Sequence, residues 1–211
     1  MSERALGKMV VGNLIATAAL RFPDREAFYC SSTKRRFSFS QINERCNRLA
    51  NGLSDMGLHK GDVVAFLCSN RAEIVEIFFA LAKNGLIGIP LNYRLAPVEM
   101  ISLMRDLKAK CLIAERRFLQ NLPVGKTELP LLAHSVSFGE GESDIGLDYE
   151  TMLAKSASTE PDIDVQESDP YYFNLTSGTT GTPKCYVISQ YNNSTLGAFA
   201  ATLDLSQKDV V

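Results

Sequence analysis

The chain has 211 residues, 45% of them hydrophobic, and its 22 Lys and Arg against 24 Asp and Glu leave a formal net charge of −2. This length can bury a sizeable core, and the balanced charge with scattered basic residues argues against a nucleic-acid partner. The apolar stretches are too short to span a bilayer, so we expect no transmembrane segment. The five cysteines lack metal-ligand spacing, which predicts no metal site, free buried thiols in a reducing compartment and a cytoplasmic protein.

Helical and strand patterns alternate through the first half of the chain. Ser38 and Gln41 form a capping box at the start of a helix. Residues 63–68 are a continuous apolar run, which is typical of a strand buried on both faces. The predicted elements are a helix over 10–20, strands over 27–30 and 36–39, a helix ending at Gly57, a strand over 63–68, a helix over 72–83 with Ile74, Phe78 and Leu81 inward, a strand over 86–90, a helix striped by Met100, Leu103, Met104 and Leu107, and a strand over 111–114. This order predicts an α/β fold with a mostly parallel sheet flanked by helices.

The pattern is weaker between the last of these strands and the C-terminal region. A strand over 131–138, a short helix over 149–155 and a polar, acidic linker over 156–170 are predicted there. His134 lies within that strand and His59 in a surface turn. Each is a lone histidine, which we interpret as structural rather than catalytic.

The C-terminal region contains two further strand patterns rich in aromatic and β-branched residues. The predicted elements are strands over 171–175 and 185–189, a helix capped by Asn192 or Asn193 that runs to about Leu203, and the start of a strand over 209–211.

Between the first two of these strands lies a run of hydroxyls, glycines and one cation: Thr176, Ser177, Gly178, Thr179, Thr180, Gly181, Thr182, Pro183 and Lys184. Glycines let backbone N–H groups turn toward an anion, hydroxyls add donors, and Lys184 adds positive charge at the rim. A Walker P-loop would have Gly before the lysine, Ser or Thr after it and then a helix. Pro183 and Cys185 occupy those positions here, and a strand follows. A hairpin turn without a ligand is the alternative.

At these residues the chain resembles the adenylate-forming superfamily, which includes acyl-CoA synthetases, luciferases and peptide-synthetase adenylation domains. The family loop, Thr-Ser-Gly-Thr-Thr-Gly, any residue, Pro-Lys-Gly, is matched through Lys184. Cys185 and Gln190 stand where the family has Gly and His, and Gln cannot carry charge near neutral pH. Weaker resemblances follow the family order upstream, the last being most similar to fatty-acyl and aryl-CoA ligases: residues 22–25, 47–50, 61–64 and 90–95.

The resemblance implies an ATP-dependent, AMP-forming acyl-CoA ligase for a fatty or aromatic acid. In that reaction a carboxylate attacks the α-phosphate of ATP to give an acyl-adenylate and pyrophosphate, with Mg²⁺ bound, and coenzyme A then takes the acyl group. Lys184 is expected to be catalytic, because fixed positive charge stabilises the charge that develops on the phosphates. The residues expected to contact the β- and γ-phosphates are Thr176, Ser177, Gly178, Thr179, Thr180, Gly181, Thr182 and Lys184.

The same resemblance implies how the chain is divided. Residues 1–165 are expected to form an N-terminal α/β subdomain, and residues 166–211 to carry the phosphate loop and begin a second subdomain. In the family, the parts that bind adenine and ribose, help to bind magnesium and line the acyl pocket all lie downstream of the loop, as does the lysine of the mobile C-terminal domain. The chain is therefore expected to be an incomplete N-terminal portion of the large domain and inactive alone.

Two other functions are considered. One is a non-catalytic module that binds nucleotide or pyrophosphate, or that assembles with another chain. The other is a Walker-type NTPase, which requires a helix directly after Lys184. An interrupted sheet also predicts self-association through its unpaired edge.

Overall fold

A computed structural model describes residues 8–120, 122–125, 127–141, 146–176 and 184–195. Besides a short 3-10 helix (Arg116–Phe118), six α-helices and nine β-strands are assigned within these ranges. In chain order they are α1 (Val11–Arg21), β1 (Glu26–Cys30), β2 (Arg35–Ser38), α2 (Phe39–Asp55), β3 (Val63–Leu67), α3 (Ala72–Asn84), β4 (Ile87–Pro90), α4 (Pro97–Asp106), β5 (Cys111–Glu115), β6 (His134–Phe138), β7 (Leu147–Asp148), α5 (Tyr149–Lys155), β8 (Pro170–Thr176), β9 (Lys184–Ser189) and α6 (Gln190–Ser194).

Seven strands form one sheet in the order β7-β6-β5-β3-β4-β8-β9. Every neighbouring pair is parallel except β8 and β9, which are antiparallel. Strands β1 and β2 form a separate antiparallel hairpin. The predicted α/β fold with a mostly parallel sheet is confirmed. Strands β8 and β9 extend the same sheet as the upstream strands, while the boundary expected at residue 165 stays a prediction.

The core has two layers, one on each face of the sheet. All five residues of β3 are buried, as expected for a central parallel strand covered on both faces. Alternate residues point to opposite sides. Val64 and Phe66 pack with α2, α3 and α5, whereas Ala65 and Leu67 pack with α4 and the segment that follows β5.

Local signals read from the sequence define several helix ends correctly. The hydroxyl of Ser38 accepts a hydrogen bond from the Gln41 N–H at 3.3 Å, and the Gln41 side chain accepts one from the Ser38 N–H at 2.9 Å. This reciprocal pair is the predicted capping box. Gly85 ends α3 in the left-handed region, with φ of 62°, which glycine adopts without a steric penalty.

Two predicted boundaries are wrong. The strand predicted over 131–138 begins only at His134. The cap of α6 is Ser189, whose hydroxyl accepts from the Asn192 N–H at 3.2 Å, so neither Asn192 nor Asn193 is the cap. The predicted continuation of this helix and the strand over 209–211 lie outside the described residues.

Helix α3 buries charge that the sequence pattern did not indicate. Ile74, Phe78 and Leu81 face the core as predicted, but Glu76 is also completely buried. Its carboxylate accepts hydrogen bonds from the Arg45 Nε at 2.6 Å and the Tyr149 hydroxyl at 2.7 Å. These partners come from α2 and α5, so one buried carboxylate connects three helices.

The predicted linker has no helix or strand before Pro170, where β8 begins, but it is firmly attached to the domain. We call residues 156–169 the strap. Three asparagines at four-residue spacing on α2 hold it: Asn51 donates to the carbonyls of Ala157 and Thr159, Asn47 to the carbonyl of Ser158, and Asn43 to the Glu160 carboxylate, at 2.7–3.0 Å. Residues four apart lie on one helix face, so one face of α2 presents three side-chain amides to the strap.

The strap is also held by an ion pair between Glu160 and Lys83, a residue of α3. The distance from Lys83 Nζ to Glu160 Oε2 is 2.5 Å, and only 4% of the Lys83 side chain is exposed. Burial lowers the pKa of Lys83. Burial by itself raises the pKa of Glu160, but the Lys83 charge and the amides of Asn43 and Asn47 outweigh it and hold that pKa below its usual range.

We predict that Glu160→Gln destabilises the fold by about 3 kcal/mol at pH 7, because it leaves the buried Lys83 ammonium without its anion. Chemical denaturation measures this loss. Since the pKa of Glu160 is lowered on folding, its contribution is present above the unfolded pKa of about 4.3 and disappears as pH falls through the folded value. The difference between variant and wild type should therefore shrink below about pH 4.

The matched control is Glu44→Gln, which removes an exposed partner of Arg48 one turn away on α2. Surface pairs of this kind contribute less than about 0.5 kcal/mol. Equal losses for Glu160→Gln and Glu44→Gln at neutral pH would contradict the assigned importance of the Lys83 pair.

Candidate functional site: the junction of β8 and β9

The two ends of the predicted phosphate loop meet at the end of the sheet. Thr176 closes β8, Lys184 opens β9, and the two are paired across the antiparallel ladder. The strand, loop, strand arrangement inferred from the sequence is confirmed at both flanks. The rest of the expected site lies outside the described residues: Ser177, Gly178, Thr179, Thr180, Gly181 and Thr182.

The direction of β8 places this loop on the side of the sheet where ligands bind in α/β proteins. Strand β8 runs parallel to β4, with Tyr172 beside Gly88. Thr176 is therefore at the carboxyl end of its strand, on the same edge as the carboxyl ends of β3, β4 and β5. Open α/β sheets bind ligands in the crevice outside these ends.

The element after the loop excludes a Walker-type site. Residues Lys184–Ser189 form a six-residue strand, and α6 begins only at Gln190. A Walker P-loop needs a helix opening directly at its lysine, so that the helix N-terminus faces the phosphates. Phosphate binding here would depend on loop amides, hydroxyls and the lysine.

A second polar cluster lies on the same edge of the sheet, at the end of β5. Glu115 is 3% exposed. It accepts hydrogen bonds from the Ser69 hydroxyl at 2.9 Å and from Arg71 at 3.2 Å, and it pairs with Arg117 at 2.8 Å. Strand β5 is three places from β8 in the sheet order, about 14 Å at ordinary strand spacing. These groups satisfy one another's hydrogen bonds and charges and connect the ends of strands. No sequence motif indicated this role.

The two departures from the family loop pattern have different environments. Cys185 is exposed on β9, opposite Leu175. Gln190 is completely buried at the start of α6. Of the two histidines, His59 is exposed and His134 is half-buried at the first position of β6.

Neither a metal centre nor a membrane-spanning helix is found among the described residues. Within them, no group of three or more His, Cys, Asp or Glu residues is arranged to hold a metal ion. In the same ranges, the helices are all too short or too polar to cross a bilayer.

Comparison with known proteins identifies the class. The family described as AMP-binding enzyme matches residues 15–211, and the chain belongs to this family. The predicted membership of the adenylate-forming superfamily is confirmed.

Particular relatives are CoA ligases. The long-chain-fatty-acid–CoA ligase FadD13 of Mycobacterium tuberculosis is 30% identical over 201 residues, which cover 94% of this chain and 39% of the relative. The 3-oxocholest-4-en-26-oate–CoA ligase of Rhodococcus rhodochrous is 33% identical over 180 residues, which cover 82% of this chain and 32% of the relative. The chain thus spans well under half the length of these relatives.

Solved structures agree with the fold. The anthranilate CoA ligase AuaEII, in complex with anthranoyl-AMP, aligns with a TM-score of 0.82 and 26% identity, over 91% of this chain and 36% of that one. The N-terminal domain of FACL13 from Mycobacterium tuberculosis aligns with a TM-score of 0.82 and 27% identity, over 95% of this chain and 49% of that one. The chain is similar to the N-terminal part of such enzymes.

The cysteines provide a test of the placement of β9. We predict that one of the five thiols, Cys185, reacts rapidly with a maleimide in the folded protein. Cys46 and Cys111 are completely buried, and burial raises the pKa of Cys68 and of Cys111 to about 12, which suppresses the reactive thiolate. Mass spectrometry of the labelled chain counts the modified thiols.

Cys30 is the most demanding case for this prediction. Burial raises its pKa, but hydrogen bonding, first of all with the Ser32 hydroxyl at 3.2 Å, outweighs burial and brings it to about 7. Because only 2% of the residue is exposed, its labelling should require local opening. Cys185→Ser is the control and should abolish the fast phase, while urea should make all remaining thiols reactive. A thiol that still reacts rapidly with maleimide in the folded Cys185→Ser chain would contradict the structure.

Proposed function

We propose that this chain supplies the phosphate-binding part of an ATP-dependent, AMP-forming acid–CoA ligase. The observation that carries the proposal is the pairing of Thr176 with Lys184 at the carboxyl edge of the parallel sheet. That geometry brings both ends of a Thr-, Ser- and Gly-rich loop to the position where this class of sheet binds ligands. The names of the CoA ligase relatives support the reaction class.

The chemistry requires a site that stabilises charge on the leaving phosphates. A substrate carboxylate attacks the α-phosphorus of ATP, the bond to the bridging oxygen of the β-phosphate breaks, and pyrophosphate leaves with the bonding electrons. Negative charge on the leaving group grows as this bond breaks. Backbone N–H groups, hydroxyls and the Lys184 ammonium would stabilise that charge. The proposed phosphate ligands are Thr176, Ser177, Gly178, Thr179, Thr180, Gly181, Thr182 and Lys184.

The second half-reaction and the acid substrate are proposed from the relatives. Coenzyme A would take the acyl group from the adenylate with release of AMP. A fatty or aromatic acid is supported by relatives named for long-chain fatty acids and for benzoate. Mg²⁺ would enter with ATP, because this ion binds proteins mainly through substrate phosphates with few protein ligands. A cytoplasmic location is proposed from the four buried free thiols.

We predict that Lys184→Met weakens binding of pyrophosphate to the 211-residue chain by about tenfold or more, since a charge-assisted hydrogen bond contributes about 1.5–3 kcal/mol. Isothermal titration calorimetry measures the dissociation constant. Lys155→Met is the matched control, because it removes the same charge from an exposed position on α5. Equal affinity of the Lys184→Met and wild-type chains would contradict the role of Lys184.

We further predict that the 211-residue chain by itself does not exchange labelled pyrophosphate into ATP in an acid-dependent manner. The reason is that it spans 39% of the length of the FadD13 relative, whereas the reaction needs adenine and acyl pockets as well as a phosphate loop. FadD13 assayed in parallel is the positive control. Exchange by the chain alone would overturn this prediction.

The alternative, a non-catalytic module for nucleotide or pyrophosphate, is tested together with the loop assignment by the same calorimetry. Heat of binding for ATP or pyrophosphate without exchange is what both proposals expect of the isolated chain. Absence of heat for both ligands would contradict the loop assignment and the module together.

A further inference from the structure

Gln190 connects three parts of the structure that are far apart in sequence. Its side chain is completely buried. The side-chain oxygen accepts a hydrogen bond from the Val11 N–H at 3.0 Å, and the side-chain nitrogen donates to the Ala82 carbonyl at 3.4 Å. Its backbone N–H donates to the Asp169 carbonyl at 3.0 Å.

The two side-chain partners are groups that helices leave incompletely satisfied. Val11 is the first residue of α1, and its cap residue, Val10, offers no side-chain acceptor. Ala82 lies in the last turn of α3, where its carbonyl also receives a long contact of 3.4 Å from the Gly85 N–H. The first N–H groups and last carbonyls of a helix need partners from outside it. One amide serves both, because it carries an acceptor and a donor at its tip.

The position of Gln190 relates these contacts to the phosphate loop. It directly follows β9, which begins at Lys184 and is only six residues long. On the side of β9 away from β8, no described strand pairs with it. Apart from its pairing with β8, β9 is therefore held mainly at its end, where Gln190 enters the core.

We propose, on the basis of the proposed function, that Gln190 is a positioning residue for the phosphate loop. Its amide anchors the end of β9 to α1 and α3, and this anchor keeps Lys184 in register with Thr176. The amide does not titrate, so the anchor is independent of pH.

The same geometry explains what a histidine would do at this position. A neutral imidazole also has one acceptor and one donor, so it can replace the amide. A protonated imidazole has two donors and no acceptor, and would place a positive charge against the N-terminus of α1, which is itself positive. The charged residues of the segments that meet at this junction have partners of their own: Lys83 pairs with Glu160, Lys60 with Asp169 and Lys8 with Asp164, and Glu167 accepts from the Met9 N–H. These groups are the same in wild type and in the variants, so a difference in pH dependence between them comes from the histidine.

The first experiment compares Gln190→Met with Asn47→Leu. Both replace a buried amide by an apolar side chain of similar size, but Asn47 joins α2 to the strap. Hydrogen exchange of the β9 amides, measured by mass spectrometry, should be about tenfold faster in Gln190→Met, since a lost buried hydrogen bond changes a local equilibrium by about this factor. Asn47→Leu should leave β9 exchange unchanged. Equal exchange of β9 in both variants would overturn the proposal.

Pyrophosphate affinity then separates this proposal from the proposed function. Gln190→Met should bind pyrophosphate about tenfold more weakly than wild type, and Asn47→Leu with wild-type affinity. Wild-type affinity in Gln190→Met would overturn positioning of the loop. A wild-type chain that gives no heat with pyrophosphate contradicts the proposed function, while the exchange result still decides whether Gln190 holds β9.

Gln190→His provides a second variant in case Gln190→Met does not fold. Its urea midpoint should match wild type at pH 8 and fall below it at pH 5.5. The imidazole pKa is depressed in the folded state, so its contribution is present above the unfolded value of about 6.5 and lost below it. A midpoint difference that does not change between these pH values would show that the side chain at 190 does not make the two helix-end contacts, and would overturn the proposal.

Discussion

The placement of the candidate site depends on the close parallel approach of β8 to β4. Gly88 lies beside Tyr172 at this contact. A Cβ atom at Gly88 would lie 3.1 Å from Phe66 and 3.2 Å from Leu81, and at an ordinary contact distance of 3.4 Å from Tyr172, so a larger residue would have to displace the side chains of Phe66 and Leu81. Phe78 completes the packing by contacting the rings of Phe66 and Tyr172 edge-to-face at 5.0 and 5.7 Å, an arrangement that aromatic pairs favour. Loss of this contact would remove packing that holds β8, the strand that leads into the loop, against the rest of the sheet.

Polar groups inside the domain determine how the second half of the chain is arranged around the first. The strap has few apolar side chains to bury, and its backbone carbonyls instead receive hydrogen bonds from the α2 asparagines. A 14-residue segment without regular structure is uncommon within a compact domain unless its backbone groups have such partners. The pairs of Glu76 with Arg45 and of Lys83 with Glu160 are costly to desolvate, so removal of one partner leaves the other without its counter-charge in the interior.

The two departures from the family pattern affect different properties of the protein. Cys185 has its side chain exposed next to Lys184, so it changes the surface beside the proposed site rather than the packing of the core. Gln190 is part of the interior, where the requirement is one donor and one acceptor. That requirement is met without charge by the amide of Gln190, through its contacts with Val11 and Ala82.

Much of the fold could be predicted because its signals are local. The apolar run of β3, the Ser38 and Gln41 capping box and the Gly85 helix end each depend on residues within a few positions of one another. The loop motif is also a contiguous pattern, so the sequence by itself determined the family and the two strands that flank the candidate site.

The remaining features were decided by the tertiary structure. Burial of Glu76 requires Tyr149, 73 positions away, and the contact of Gln190 with Val11 joins residues 179 positions apart. A polar residue on a helix or strand has the same local pattern whether it faces water or a buried partner. Only the assembled sheet and helices bring these distant donors and acceptors together, because the free energy that buries them comes from packing elsewhere in the domain.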